Sequence, residues 1–227
     1  MARVSTGSNS KQDYATPLDF LDNVVKRFGQ ITFDLAAEPH NKKHERYFGP
    51  LEFVTKGSAE DLGIADVGDL LSNMNIKFLK HTKEGNVYER CVSNLDKEAV
   101  ALDGLVQDWV SLTKRYGGFL WLNPPFNDID PWAEKWRLQA TMGANGLFLV
   151  PAAVGANWYR EHIWGRGDSY FLNGRLAFMG KGQPLYNKDC MLIHFHPAMS
   201  GECFVWDWKR DVLLDARGER VESRLAS

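Results

Sequence analysis

Two periodicities order the apolar positions of this chain, one helical and one extended. Leu18, Leu21, Val25 and Phe28 fall on one helical face, and Phe20 and Val24 widen it. Thr16 reads as the N-cap of that helix, Pro17 as its first residue, Asp19 as a first-turn acid and Gly29 as its terminator. Short apolar runs at 31–35, 118–122 and 146–151 suit strands buried on both faces. Asp130-Pro131 opens a second helix through about Ala140, with Trp132 and Trp136 as core anchors, and a short helix near 158–164 precedes Gly165. The strand, helix, strand succession predicts an α/β fold around a mixed, mostly parallel sheet with right-handed crossovers. Residues 169–172, 175–179, 190–196 and 203–208 are strand-like with little room for helices between them, so C-terminal antiparallel strands are expected on that side of the sheet. From Lys209 onward a polar tail or short surface helix is expected.

At 227 residues and 44% hydrophobic content, the chain can bury one full core. The first twelve residues are polar and expected to fray. No apolar stretch is long enough to span a bilayer and no signal-peptide pattern is present, which predicts a cytoplasmic protein. Cys91, Cys190 and Cys203 are odd in number and lack metal-type spacing, so free thiols are expected. A net charge of −2 argues against a general attraction to polyanions, and such binding would need a local basic face. The C-terminal half supplies the candidates Arg160, Arg166, Arg175, Lys181 and Lys188.

The distinctive chemistry is Asn123-Pro124-Pro125-Phe126, directly after the apolar run 118–122. Two prolines cannot continue a central strand, so the run must end at Asn123. An amide side chain and prolyl carbonyls then sit at the carboxyl end of a strand, where open α/β sheets bind ligands. The amine of adenine or cytosine is a poor nucleophile because its lone pair is delocalised into the ring. Two acceptors aimed at its N–H bonds, the Asn123 oxygen and the Pro124 carbonyl, favour a pyramidal nitrogen able to attack a methyl donor. Phe126 offers a flat apolar face for an extruded base. Each residue also has an ordinary use: the prolines as loop breakers, the asparagine as a turn residue and the phenylalanine as core. The run 31–35 leads into Asp34-Leu35-Ala36-Ala37-Glu38, where one acid and two small residues fall at the end of the first strand.

Beyond these segments, Thr16-Pro17, Phe33-Asp34-Leu35-Ala36-Ala37, Asn41, Tyr47-Phe48, Asp103-Gly104-Leu105, Asp108-Trp109, Trp121 through Phe126, Trp132, Leu149 through Ala152, Trp158 and Gly174 through Phe178 stand in a characteristic order. In that order and content the chain resembles the phage-type, Dam-related DNA N6-adenine methyltransferases. The resemblance implies a Rossmann-like class I methyltransferase core, S-adenosylmethionine as cofactor and DNA as partner, in a monomer or weak dimer encoded by a phage or prophage. It implies that Thr16, Pro17, Asp34, Ala36, Ala37 and Asp103 border the cofactor, and that Asn123, Pro124, Pro125 and Phe126 receive the target adenine. Arg175 and Lys181 are the leading candidates for phosphate contacts. One departure is the loop after the first strand, Ala36-Ala37-Glu38-Pro39-His40, which has no glycine-rich turn, although a sulfonium cofactor carries no phosphate for such a turn to cradle. The other is an insertion at about 53–100 of mixed charge, either a lobe that helps select DNA sequence or a solvated structural excursion.

RNA adenine and protein glutamine amides pose the same electronic problem and stand as alternative substrates. A DNA-binding protein on a decayed methyltransferase scaffold is the alternative from another class. His40 with His44, and His194 with His196, are spaced to share a face, but neither pair has an evident third ligand, and no metal is expected. No nucleophile elbow, Walker loop or glycosidase carboxylate pair is present.

Overall fold

The computed structural model describes residues 14–37, 41–48, 56–57, 77–81, 87–90, 104–180, 186–198 and 200–221. In chain order the elements are β1 (Tyr14–Ala15), α1 (Leu18–Phe28), β2 (Ile31–Asp34), β3 (Lys56–Gly57), β4 (Lys77–His81), β5 (Val87–Arg90), α2 (Trp109–Tyr116), β6 (Phe119–Leu122), α3 (Asp130–Thr141) and β7 (Gly146–Pro151). A π-helical turn, Tyr159–Ile163, leads to β8 (Asp168–Leu172), β9 (Leu176–Gly180), β10 (Tyr186–Lys188), β11 (Cys190–Phe195), β12 (Cys203–Asp207) and β13 (Val212–Leu214).

The fold is α/β, built on a seven-stranded sheet of order β13-β12-β8-β11-β7-β6-β2. β2, β6 and β7 run parallel, β11 is antiparallel to both β7 and β8, β12 runs parallel to β8, and β13 returns antiparallel. Parallel and antiparallel pairings are thus equal in number, which corrects the expectation of a mostly parallel sheet. The reason lies in the short connections after β8, which leave no helix to carry the chain back across the sheet. The expected strand at 175–179 also leaves this sheet. As β9 it pairs instead with β1 and β10 in a separate three-stranded sheet.

Side-chain alternation explains why the central strands are apolar throughout. Leu120, Leu122, Phe148, Val150, Met191 and Ile193 face a core completed by Trp109 of α2, Ala133, Trp136 and Ala140 of α3, and Tyr159. Trp121, Leu147, Leu149, Cys190 and Leu192 face the opposite core, completed by Phe20, Leu21, Val24 and Phe28 of α1 together with Phe178 and Trp206. The buried stripe of α1 is therefore rotated from the expected one, and Leu18 is 72% exposed. Leu18 stands at the helix's first position, beyond the end of the apolar layer.

Two helix junctions lock these layers. The Asp108 side chain caps α2 by accepting from the Val110 and Ser111 N–H groups, and the Gln139 side chain of α3 accepts from the Trp109 N–H at 2.8 Å. Trp136 stacks on Phe195 with ring centroids 5.6 Å apart, consistent with the expected anchoring role. At the far edge, the expected tail after Lys209 is instead the β12–β13 hairpin. Asp211 takes a left-handed turn at φ 56° and accepts from Arg27 of α1 at 2.6 Å, while Leu213 is buried. A buried leucine and an internal ion pair hold this segment down.

Of the expected insertion at about 53–100, the described parts are β3, β5 and β4, which form an antiparallel sheet in that order. Its remainder, and the expected frayed terminus at 1–12, lie outside the described residues. Among the described residues no helix is long and apolar enough to cross a membrane.

Gly146 is the tightest point of the central layer: an added Cβ would lie 2.4 Å from the Leu120 carbonyl oxygen and 2.4 Å from a Trp136 ring carbon. Gly146→Ala is expected to lower unfolding stability by about 1–3 kcal/mol in urea titration. Gly155→Ala, which meets nothing within 4 Å, is expected to leave the midpoint unchanged. Equal stability for the two variants would contradict this packing.

Candidate functional site

Because β2, β6 and β7 are parallel, their carboxyl ends open on one edge of the sheet. The register pairs Asp34 with Trp121 and Trp121 with Leu147, so the segments after Asp34 and Leu122 start almost level. The first of these segments is organised by Asp34. Its side chain is buried, Oδ1 accepts from the Ala36 N–H at 3.3 Å and Oδ2 accepts from the Lys43 N–H at 2.9 Å. Tyr47 and Phe48 return alongside: the Phe48 N–H donates to the Asp34 carbonyl and the Ala37 N–H to the Phe48 carbonyl. Asp34 thus holds both ends of the loop that lacks a glycine-rich turn.

Burial pushes the Asp34 carboxyl up to about 7, against the opposing pull of the two N–H groups and the nearby Lys43 ammonium. Ala36 is half-buried and Ala37 buried, so small side chains line the turn. Gly104 packs against this turn, and a Cβ there would lie 2.3 Å from the Leu35 carbonyl oxygen. Only glycine allows that approach. Asp103, its neighbour, lies outside the described residues.

The second segment begins at Asn123, immediately after β6 as expected. Asn123 Nδ2 donates to Thr16 Oγ1 at 3.1 Å, while Asn123 Oδ1 is buried and has no hydrogen-bond partner among the described residues. Thr16 is 2% exposed and is not the N-cap of α1. Pro17 occupies the cap position with an extended ψ of 139°, its carbonyl accepts from the Leu21 N–H, and no side chain caps the helix. The Thr16 hydroxyl faces Asn123 instead, since β1 pairs with β9 and delivers Thr16 to this edge.

Pro124 is buried and Pro125 exposed. Phe126 is half-buried where the two cores meet and stands edge-on to Phe178, with centroids 5.7 Å apart. Thr16, Asn123, Phe126 and Phe178 therefore form one cluster drawn from three segments, next to the Asp34 turn.

Arg175 is exposed, with Nε 2.9 Å and Nη2 3.3 Å from the two carboxylate oxygens of Asp189, and this pairing raises its pKa further. Its charge is already met by an acid, which weakens it as a phosphate ligand. Lys181 lies outside the described residues. Three contributors escaped the sequence reading: Lys43, whose contact is through the backbone; Asp189, which nothing in the local pattern distinguishes; and a groove along the same edge beyond β7. That groove has a volume of about 580 Å³ and is lined by Val154, Tyr159, Arg160, Trp164 and Phe171 among others. It does not include Asn123 or Asp34. Trp164, 61% exposed, was legible in the sequence only as part of a short helix.

No protein-family model, curated protein or solved structure matches this chain.

The raised Asp34 carboxyl makes the stability of the turn depend on pH. Between 3.8 and about 7 the folded protein keeps a proton that the unfolded chain gives up. The group's contribution is therefore present at low pH and lost as pH rises through about 7. Urea titrations are expected to show the stability of the native protein falling relative to Asp34→Asn across this window. A constant difference between the two would contradict the burial of this carboxyl.

Proposed function

We propose that this chain is an S-adenosylmethionine-dependent methyltransferase acting on adenine N6 in DNA, with a Rossmann-like class I core. The observation that carries the reading is the buried, unpartnered Oδ1 of Asn123 at the carboxyl end of a central strand. A buried acceptor without a donor costs about 1–3 kcal/mol, and such groups call for an explanation. An amine N–H from a bound base supplies the missing donor, and the Pro124 carbonyl accepts the second.

Thr16 orients the amide. By taking Nδ2, it turns Oδ1 away as the free acceptor. Phe126 supports one face of the base, with Phe178 behind it limiting rotation of the ring. The small residues Ala36 and Ala37 and the contacts of Asp34 with the Ala36 and Lys43 N–H groups fit a cofactor lying across the end of β2. In this reading Asp34 shapes the cofactor loop through its backbone contacts, and Pro17 and Asp103 border the same site.

When bound, the cofactor supplies an electrophilic methyl on a sulfonium. The chain's residues hold the amine with its lone pair directed at that carbon. A methyl taken by this nitrogen would leave the cofactor behind as a neutral thioether, and the amine held by Asn123 and Pro124 would give up its proton to solvent. Neither Asn123 nor Pro124 has to titrate.

The test uses the full chain, labelled cofactor and mixed-sequence DNA. Asn123→Ala is expected to lower the methylation rate on the order of 10²–10³-fold, the cost of losing one preorganised hydrogen-bonding group, while melting temperature and cofactor binding remain close to native. Undiminished methylation by the variant would overturn the assignment of Asn123.

A further inference from the structure

The opposite edge of the sheet carries a second cluster that the proposed reaction does not use. Asp168 opens β8 directly across from His194 of β11 in the strand register, and His196 follows two positions later on the same face. One donor atom from each of Asp168, His194 and His196 lies within 4.8 Å of the others. His196 Nε2 is 3.1 Å from Asp168 Oδ2. Donors on one tetrahedral ion at the usual ~2.1 Å bond length stand roughly 3.4 Å apart, so this pair already has a suitable spacing.

Outer contacts fix the two buried groups. Asp168 Oδ1 accepts from Ser200 Oγ at 2.6 Å and from the Glu202 N–H at 3.0 Å, which orients the carboxylate and leaves Oδ2 facing His196. His194 Nε2 lies 2.9 Å from Asn145 Oδ1. Asn145 Nδ2 donates to the Gly118 carbonyl, which directs its oxygen to the histidine, so Nε2 carries the hydrogen and Nδ1 keeps the lone pair. Burial against Phe28 and Phe119, with His196 beside it, pushes His194 down to about 4, and it is neutral at physiological pH.

A neutral imidazole donating its other N–H to a carbonyl oxygen and a carboxylate held by hydrogen bonds on its far oxygen make up the outer shell that metal ligands carry. We propose that Asp168, His194 and His196 form a binding site for a divalent transition-metal ion, with zinc the best chemical match and one coordination position left open. His196, whose side chain is 20% exposed, forms the entrance. The ion takes the place of the hydrogen bond between His196 and Asp168, and any proton on His196 leaves to solvent. Bound there, it ties β8 and β11 to the segment that carries Ser200 and Glu202. This site is independent of the methyl-transfer reading and can fail or hold without it.

The experiment is calorimetric titration of the untagged, chelator-treated full chain with zinc, paralleled by cobalt(II) absorption. One equivalent per chain is expected, with the intense visible bands of four-coordinate cobalt, and His196→Ala is expected to weaken binding by at least ~10–100-fold. His196→Gln keeps a side chain able to hydrogen-bond Asp168 while removing the imidazole, and the same loss of affinity in a variant with native melting behaviour would support the site. Absence of saturable binding, equal affinity in native protein and both variants, or a weak six-coordinate cobalt spectrum would overturn it.

Discussion

The hydrogen bond from Asn123 Nδ2 to Thr16 Oγ1 joins residues 107 positions apart and sets the geometry of the candidate site. It engages the amino end of the amide and leaves the acceptor end buried and unmatched among the described residues. Without it nothing would fix which end of the amide faces the site, and the site would lose its one side-chain acceptor. Two features of the fold bring its partners together. β6 must stop at Leu122, which the two prolines ensure, and Thr16 must arrive beside it, which the pairing of β1 with β9 ensures.

The cores on the two faces of the sheet make that placement rigid. Phe20, Leu21, Val24 and Phe28 press α1 against the face carrying Trp121, so the start of α1 comes to the carboxyl end of β6. Trp109 and Trp136 press α2 and α3 on the other face, where Gly146 has no space for a side chain. Burying aromatic residues of this size is worth about 3–5 kcal/mol each against truncation to alanine, several times the net value of one hydrogen bond. Packing therefore supplies the stability, and the polar contacts decide which atoms face the site.

Much of this was legible in the sequence, because buried strands and capped helices follow local rules. β2, β6, β7 and α3 stand close to their expected positions, and the end of β6 follows directly from the prolines. What sequence did not reveal depends on contacts between distant segments. The Thr16 hydroxyl looks like a helix cap until β9 positions it beside Asn123. The part Asp34 plays in shaping its own turn shows only once its two oxygens are seen bound to the Ala36 and Lys43 N–H groups. Lys209 onward looks like a polar tail because what holds it, the pairing of β13 with β12, the contacts of Asp211 with α1 and the buried Leu213, leaves little mark on its local pattern. The pairing of His194 with His196 was readable at strand spacing, but Asp168 joins them only through the register of β8 and β11.

In the proposed reaction the free oxygen of Asn123 receives the exocyclic amine of adenine. The most direct measurement is mass spectrometry of nucleosides released from DNA after incubation with the purified chain and isotopically labelled S-adenosylmethionine. Labelled N6-methyl-2′-deoxyadenosine is expected as the single modified nucleoside. Label found only in cytosine, in RNA or in peptide, or no transfer by a folded protein that binds the cofactor, would contradict it.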